Sequence, residues 1–134
     1  MTFAELGKSY IRKAIARFDT LEVLLKNRDY SDVIRESQEI VELVLKGILR
    51  IRGIEPPKIH DVGGLLIEYR ERFKDISLRE IRKLVKISKE LRKERELSFY
   101  GDVDFIPTEE YTVKDAVKCI EKVKFVIEIG KRFL

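Results

Sequence analysis

Apolar residues recur at steps of three and four along most of this 134-residue chain, the spacing that keeps one face of an α-helix over successive 3.6-residue turns. The stretch from Ser77 to Gly101 shows the pattern with its boundaries marked. Ser77 and Glu80 stand in the S-x-x-E arrangement of a capping box, so a helix begins there. Its inward stripe is predicted to run through Ile81, Leu84, Ser88, Leu91 and Arg95, with Val85 beside it, and Phe99, Tyr100 and Gly101 end it in an aromatic-glycine corner. The stripe puts an arginine where the period asks for an apolar residue. A charged side chain turned inward needs a partner and typically sits at an interface or a cleft, which makes Arg95 the first candidate for function.

The same periodicity divides the rest of the chain. Thr2 and Glu5 form another capping box, and Leu6, Tyr10, Ala14, Phe18, Leu21 and Leu25 give one face of a helix to about Asn27. Asn27-Arg28-Asp29 is a polar break long enough only for a tight antiparallel return. A second helix is predicted from near Asp29 or Ser31 to Arg52, stopped by Gly53. Its stripe of Val33, Ser37, Ile40, Val41, Val44, Leu45, Ile48 and Leu49 is broad enough to meet several neighbours, with Gly47 beside it for a close backbone approach. Pro56 and Pro57 hold an extended loop up to His60, and Asp61 is placed to cap a short helix of about Val62 to Arg72 that buries Leu65, Leu66 and Tyr69. Residues 101–111 lack periodicity and carry Asp102, Asp104, Glu109 and Glu110, an acidic loop after a basic helix. Thr112 and Asp115 open the last helix, predicted to bury Val113, Ala116, Val117, Ile120, Val123, Ile127, Phe133 and Leu134. The expected fold is all-α, an up-down bundle of four long helices plus one short helix, in a single domain over residues 1–134.

Composition narrows the chemistry. Charged residues make up 39% of the chain, far above the usual quarter or so, and with no Trp and one Met this suits a thermophile's protein. The net charge of +4 comes from 28 basic and 24 acidic residues that are interspersed, so contact with nucleic acid has to come from a local patch. One cysteine, Cys119, excludes an internal disulfide and a cysteine-pair zinc site, and one histidine, His60, excludes paired-histidine metal sites. No metal and no cofactor is expected. The N-terminus is too charged for a secretory signal and no apolar run reaches a membrane span, so the expectation is a soluble, cytoplasmic protein without membrane contact.

The candidate residues each have two readings. Arg95 is either a bidentate ligand for phosphate or carboxylate or a solvated or ion-paired side chain near a helix end. Arg92 lies close enough to join it. Tyr100 either supplies a hydroxyl proton at that corner or plugs the end of the bundle. His60 either adds a cation beside a helix start, where an anion is favoured, or simply packs there. Cys119 is read as a small buried hydrophobe. The run Arg79, Arg82, Lys83, Lys86, Lys89, Arg92 and Lys93 is either a solvated face or a track for a phosphate backbone.

The segment Asp29 to Leu66 resembles the centre of a HEPN domain, through Ser37, Gln38, Leu45, Lys46, Gly53, Pro56 or Pro57, His60 and Asp61. Arg95 to Asp102 and Thr108 to Val123 are similar to that family's C-terminal half. The resemblance implies an all-α bundle that forms a homodimer. It also implies a possible partner of the MNT nucleotidyltransferase type in a two-gene toxin–antitoxin module. Active members of the family are metal-independent ribonucleases whose motif is an Arg followed four to six residues later by His. Arg95 matches its first half, but Tyr100 stands where the His is expected, and no His follows Arg95. Taken with the residues, the resemblance points to a subunit that binds a nucleotide, RNA or a nucleotidyltransferase partner, with Arg92, Arg95 and His60 as the side chains best suited to an anion. The alternatives are a ribonuclease toxin with Arg95 and Tyr100 as catalytic pair and, as a lesser option, a dimerisation module with no ligand.

Overall fold

The computed structural model describes residues 3–56, 58 and 62–134; the expectations placed on Thr2, Pro57, His60 and Asp61 lie outside the described residues. Four long helices carry the fold: α1 (Phe3–Lys26), α2 (Tyr30–Ile51), α4 (Leu78–Phe99) and α6 (Val113–Lys131). Between them stand two short ones, α3 (Val62–Glu68) and the single turn α5 (Pro107–Glu110). The all-α bundle read from the sequence is the fold observed. No strand is formed among the described residues, apart from an isolated bridge between Asp102 and Phe105.

The helix boundaries follow from local chemistry. Ser77 and Thr112 each accept from the backbone N–H three residues on, while Glu80 and Asp115 reach back to the cap, so both predicted capping boxes are made. At the other end of α2, Ile54 N–H donates to Leu49 C=O at 2.9 Å and Gly53 N–H to Arg50 C=O at 3.0 Å. This Schellman closure requires a left-handed residue, and Gly53 supplies it at φ +77°. Arg28 adopts φ 58° in the tight return from α1 to α2. The third helix is shorter than the sequence suggested: it stops at Glu68 and gives way to one 3-10 turn at Arg70–Arg72, consistent with Gly63 and Gly64 leaving it little propensity.

Helix α2 is the centre, packed against α1, α3, α4, α5 and α6. All eight stripe residues named from its sequence are buried, and burying each large aliphatic among them is worth about 1.5–3 kcal/mol. Gly47 of α2 meets Gly7 of α1: a Cβ added to Gly47 would lie 2.6 Å from the Gly7 carbonyl oxygen, so the two backbones touch. The Arg17–Glu36 ion pair (2.7 and 3.0 Å) joins the same two helices nearer their connection, which fixes them antiparallel.

Two stripes differ from expectation. On α4 the buried line is Ile81, Leu84, Ile87, Leu91 and Ser98. Ser88 is only half-buried, because a step of three from Leu84 brings Ile87 under the core instead. On α6 the buried line is Ala116, Cys119, Val123, Val126, Ile127, Ile129 and Gly130, followed by Phe133. Val113, Val117 and Leu134 are exposed, and Ile120 sits at the edge; only the more C-terminal turns of α6 are covered on both sides.

Candidate functional site

The two central helices α2 and α4 run antiparallel, and their polar edges meet in a seam of charges. Arg95 of α4 reaches Glu39 of α2, Nη2 to Oε1 at 3.5 Å. The same Glu39 oxygen also lies 3.4 Å from Nε of Arg35. Arg35 in turn donates from Nη1 to the Arg95 carbonyl at 3.4 Å. One carboxylate is thus shared by two guanidiniums, and both contacts are long for a charge-assisted bond. Arg95 is not fully turned inward as its sequence position suggested. Its side chain is 43% exposed, while its Nε is buried without a hydrogen-bond partner.

One turn along α2, Glu42 is held by Lys46 (3.0 Å) and by Gln38 Nε2 (2.9 Å). Burial pushes its pKa up, but those two hydrogen bonds and the field of Lys46 and Arg95 outweigh it and keep the carboxyl below its usual range. Glu42 is therefore a fixed anion already matched by Lys46. With Glu39 divided between Arg35 and Arg95, the cations Arg35, Arg95 and Lys46 outnumber the carboxylates Glu39 and Glu42 by one, although Asp32 also stands in the field of Arg35. Gln38 entered the sequence reading only through the family resemblance, and Glu39, Glu42 and Arg35 were not singled out from sequence. Their spacing of three and four along α2 beside its apolar stripe was the available signal.

The aromatic corner closes the seam. Phe99 lies under the Arg35 guanidinium, 5.0 Å from carbon Cζ to ring centroid, and packs edge-on to Tyr100 at 4.8 Å. Tyr100 is 71% exposed and plugs nothing. Ser98 is buried and donates to the Arg95 carbonyl at 3.2 Å. Arg92 is exposed on the flank that faces Val62 and Gln38. Arg95 and Tyr100 thus share one end of α4, whereas His60 lies outside the described residues.

A cleft of about 510 Å³ opens on the flank of α4 away from Arg92, between it, α6 and the 102–111 segment. Leu91, Ile34, Phe105 and Cys119 line it. Tyr111 donates its hydroxyl to Glu94 there, and burial, then Glu94, push its pKa well above the ordinary phenol value. Burial likewise pushes the Cys119 thiol up, so neither group is a nucleophile near neutral pH. Among the described residues, no group of His, Cys, Asp and Glu is arranged to hold a metal, and no helix is long and apolar enough to cross a membrane.

Comparison with known proteins gives two findings. The family model described as the HEPN domain matches residues 8–133. A protein of Methanocaldococcus jannaschii named "Putative toxin MJ1304" is 29% identical over 134 residues, which cover 96% of this chain and 88% of the relative. No solved structure matches the chain at a comparable level of significance.

Proposed function

This chain belongs to the HEPN domain family, and on that footing we propose that it is the helical subunit of a toxin–antitoxin-like two-gene module. It forms a homodimer with the Arg95 corner near the twofold axis, and it binds the phosphate of a nucleotide or RNA there. The observation that carries this reading is the sharing of Glu39 by Arg35 and Arg95, which leaves a half-exposed guanidinium with capacity for an oxyanion. The name of the archaeal relative supports the toxin context, and a nucleotidyltransferase of the MNT type is the partner that context suggests. Arg92 and His60 are the further cations proposed for the ligand. The test is co-purification of the chain with the product of a neighbouring nucleotidyltransferase gene. A stable complex supports the module, and separate elution of the two proteins opposes it.

The second reading is a metal-independent ribonuclease that uses Arg95 and Tyr100. The exposure of Tyr100 at the same end of α4 favours it. A phenol hydroxyl can donate a proton but is a poor base in place of an imidazole, so cleavage is expected to be weak or absent. RNA incubated with the protein in a metal chelator decides between them. Robust cleavage lost in both Arg95→Ala and Tyr100→Phe establishes the ribonuclease.

A further inference from the structure

The outer face of α4 carries a row of like charges of which the fold engages few. Arg79, Arg82, Lys83, Lys86, Lys89 and Lys93 are all exposed. At 100° per residue they fall within an arc of about 120°, opposite the buried line, and extend over about 21 Å of helix. Elsewhere the chain pairs opposite charges one turn apart, as in Arg35–Glu39 and Glu42–Lys46. Here the like-charged neighbours at three and four residues are Arg79 with Arg82 and Lys83, Arg82 and Lys83 with Lys86, Lys86 with Lys89, and Lys89 with Lys93, and each such pair is unfavourable in the isolated helix. Among the described residues, Lys86 alone in the row faces a carboxylate, Glu90 at 4.0 Å, and Glu90 is held more closely by Lys122 of α6 at 2.7 Å. Lys83 also stands over the Phe125 ring at 4.0 Å.

We propose that this row is a binding track for the backbone of a single-stranded polynucleotide, which it leads toward the C-terminal end of α4. The row is one helix wide, which fits a linear polyanion. A membrane surface is a poorer match, because the exposed large apolar residues of α4 stand only at its two ends, Leu78 and Phe99. The track is separate from the Arg95 corner, and it rests on the reading above only in taking RNA as the ligand.

The test is fluorescence anisotropy of a labelled oligouridine of about a dozen nucleotides, at about 50 and about 200 mM salt. The proteins are wild type, the triple variant Arg82→Gln, Lys86→Gln, Lys89→Gln, the charge-keeping variant Lys86→Arg, Lys89→Arg, and Arg95→Ala, each checked for helicity by circular dichroism. The track predicts that the triple variant loses about tenfold or more in affinity at the lower salt. Its log–log salt slope should become shallower by about 2, at roughly 0.7 per neutralised contact on a single strand. The charge-keeping variant should bind like wild type. If the triple variant binds like wild type while Arg95→Ala fails, the track is wrong and the corner stands. If the triple variant fails while Arg95→Ala binds normally, the track stands and the corner is wrong. Tighter association of wild type with phosphatidylserine vesicles than with the RNA, or no RNA binding at the lower salt, also overturns the track.

Discussion

Arg95 on α4 and Glu39 on α2 are 56 residues apart in sequence and 3.5 Å apart in space. Arg35 takes the same carboxylate oxygen, and on the proposed reading Glu39 occupies the place at Arg95 that an external anion would take. Removing its charge should therefore improve phosphate binding. Glu39→Gln is expected to bind ATP several-fold more tightly than wild type at low salt while losing up to about 1 kcal/mol of stability, the scale of a part-exposed ion pair. Calorimetric titration and urea melts check both. Unchanged or weaker affinity would show that the seam only holds the two helices together.

The Gly7–Gly47 crossing should tolerate no side chain. Gly47→Ala places a methyl 2.6 Å from the Gly7 carbonyl oxygen and 2.8 Å from the Ile11 side chain. The helices must separate, at about 1–3 kcal/mol, the usual cost of overpacking. A melting temperature within a degree of wild type would mean that the two backbones are not in contact.

Much of this was legible in the chain. The capping boxes at Ser77 and Thr112 and the stop at Gly53 depend on residues five or fewer apart, and the stripe of α2 is broad enough that a small error of phase still leaves it buried. Phase was harder on α4, where the steps from Leu84 to Ile87 and from Leu84 to Ser88 are both helical, and only the neighbouring helices decide between them. For the same reason Arg95 was placed on the inward line when it lies beside it, against Glu39. The turn α5, the cleft closed by Tyr111 and Glu94, and the sharing of Glu39 all depend on contacts between elements, which periodicity within one element does not encode.

Stability should depend on pH through Asp32. A hydrogen bond with Asp29, then burial and the charge of Asp29, raise its pKa from the ordinary carboxyl value to about 6. An acid with a raised folded pKa binds more protons folded than unfolded between the two values, so its contribution is full below about 4 and is lost as pH rises through about 6. Asp32→Asn should keep its contribution at every pH. Its melting-temperature advantage over wild type is expected to grow from pH 4 to pH 7. A constant difference across that window would show that the two carboxyls do not share a proton.

The proposed homodimer is argued from the surface at the end of α4. Half-exposed Phe99, exposed Tyr100 and the positively charged seam sit together there, and a twofold interface covering them buries the same patch on both copies. Light scattering at tens of micromolar should give about twice the 15.8 kDa of one chain. A monomer mass at that concentration would rule the dimer out. If the dimer forms, Tyr100→Asp should lower that mass toward one chain.

The most direct test of the phosphate site is a titration of ATP into wild type and Arg95→Ala at low and at moderate salt. A guanidinium that binds phosphate gives weak but measurable affinity in wild type, weaker binding as salt rises, and a loss of about tenfold in Arg95→Ala, the scale of one charge-assisted contact. Equal affinities for the two proteins, or no binding by wild type at low salt, would contradict the account and leave Arg95 as a structural partner of Glu39.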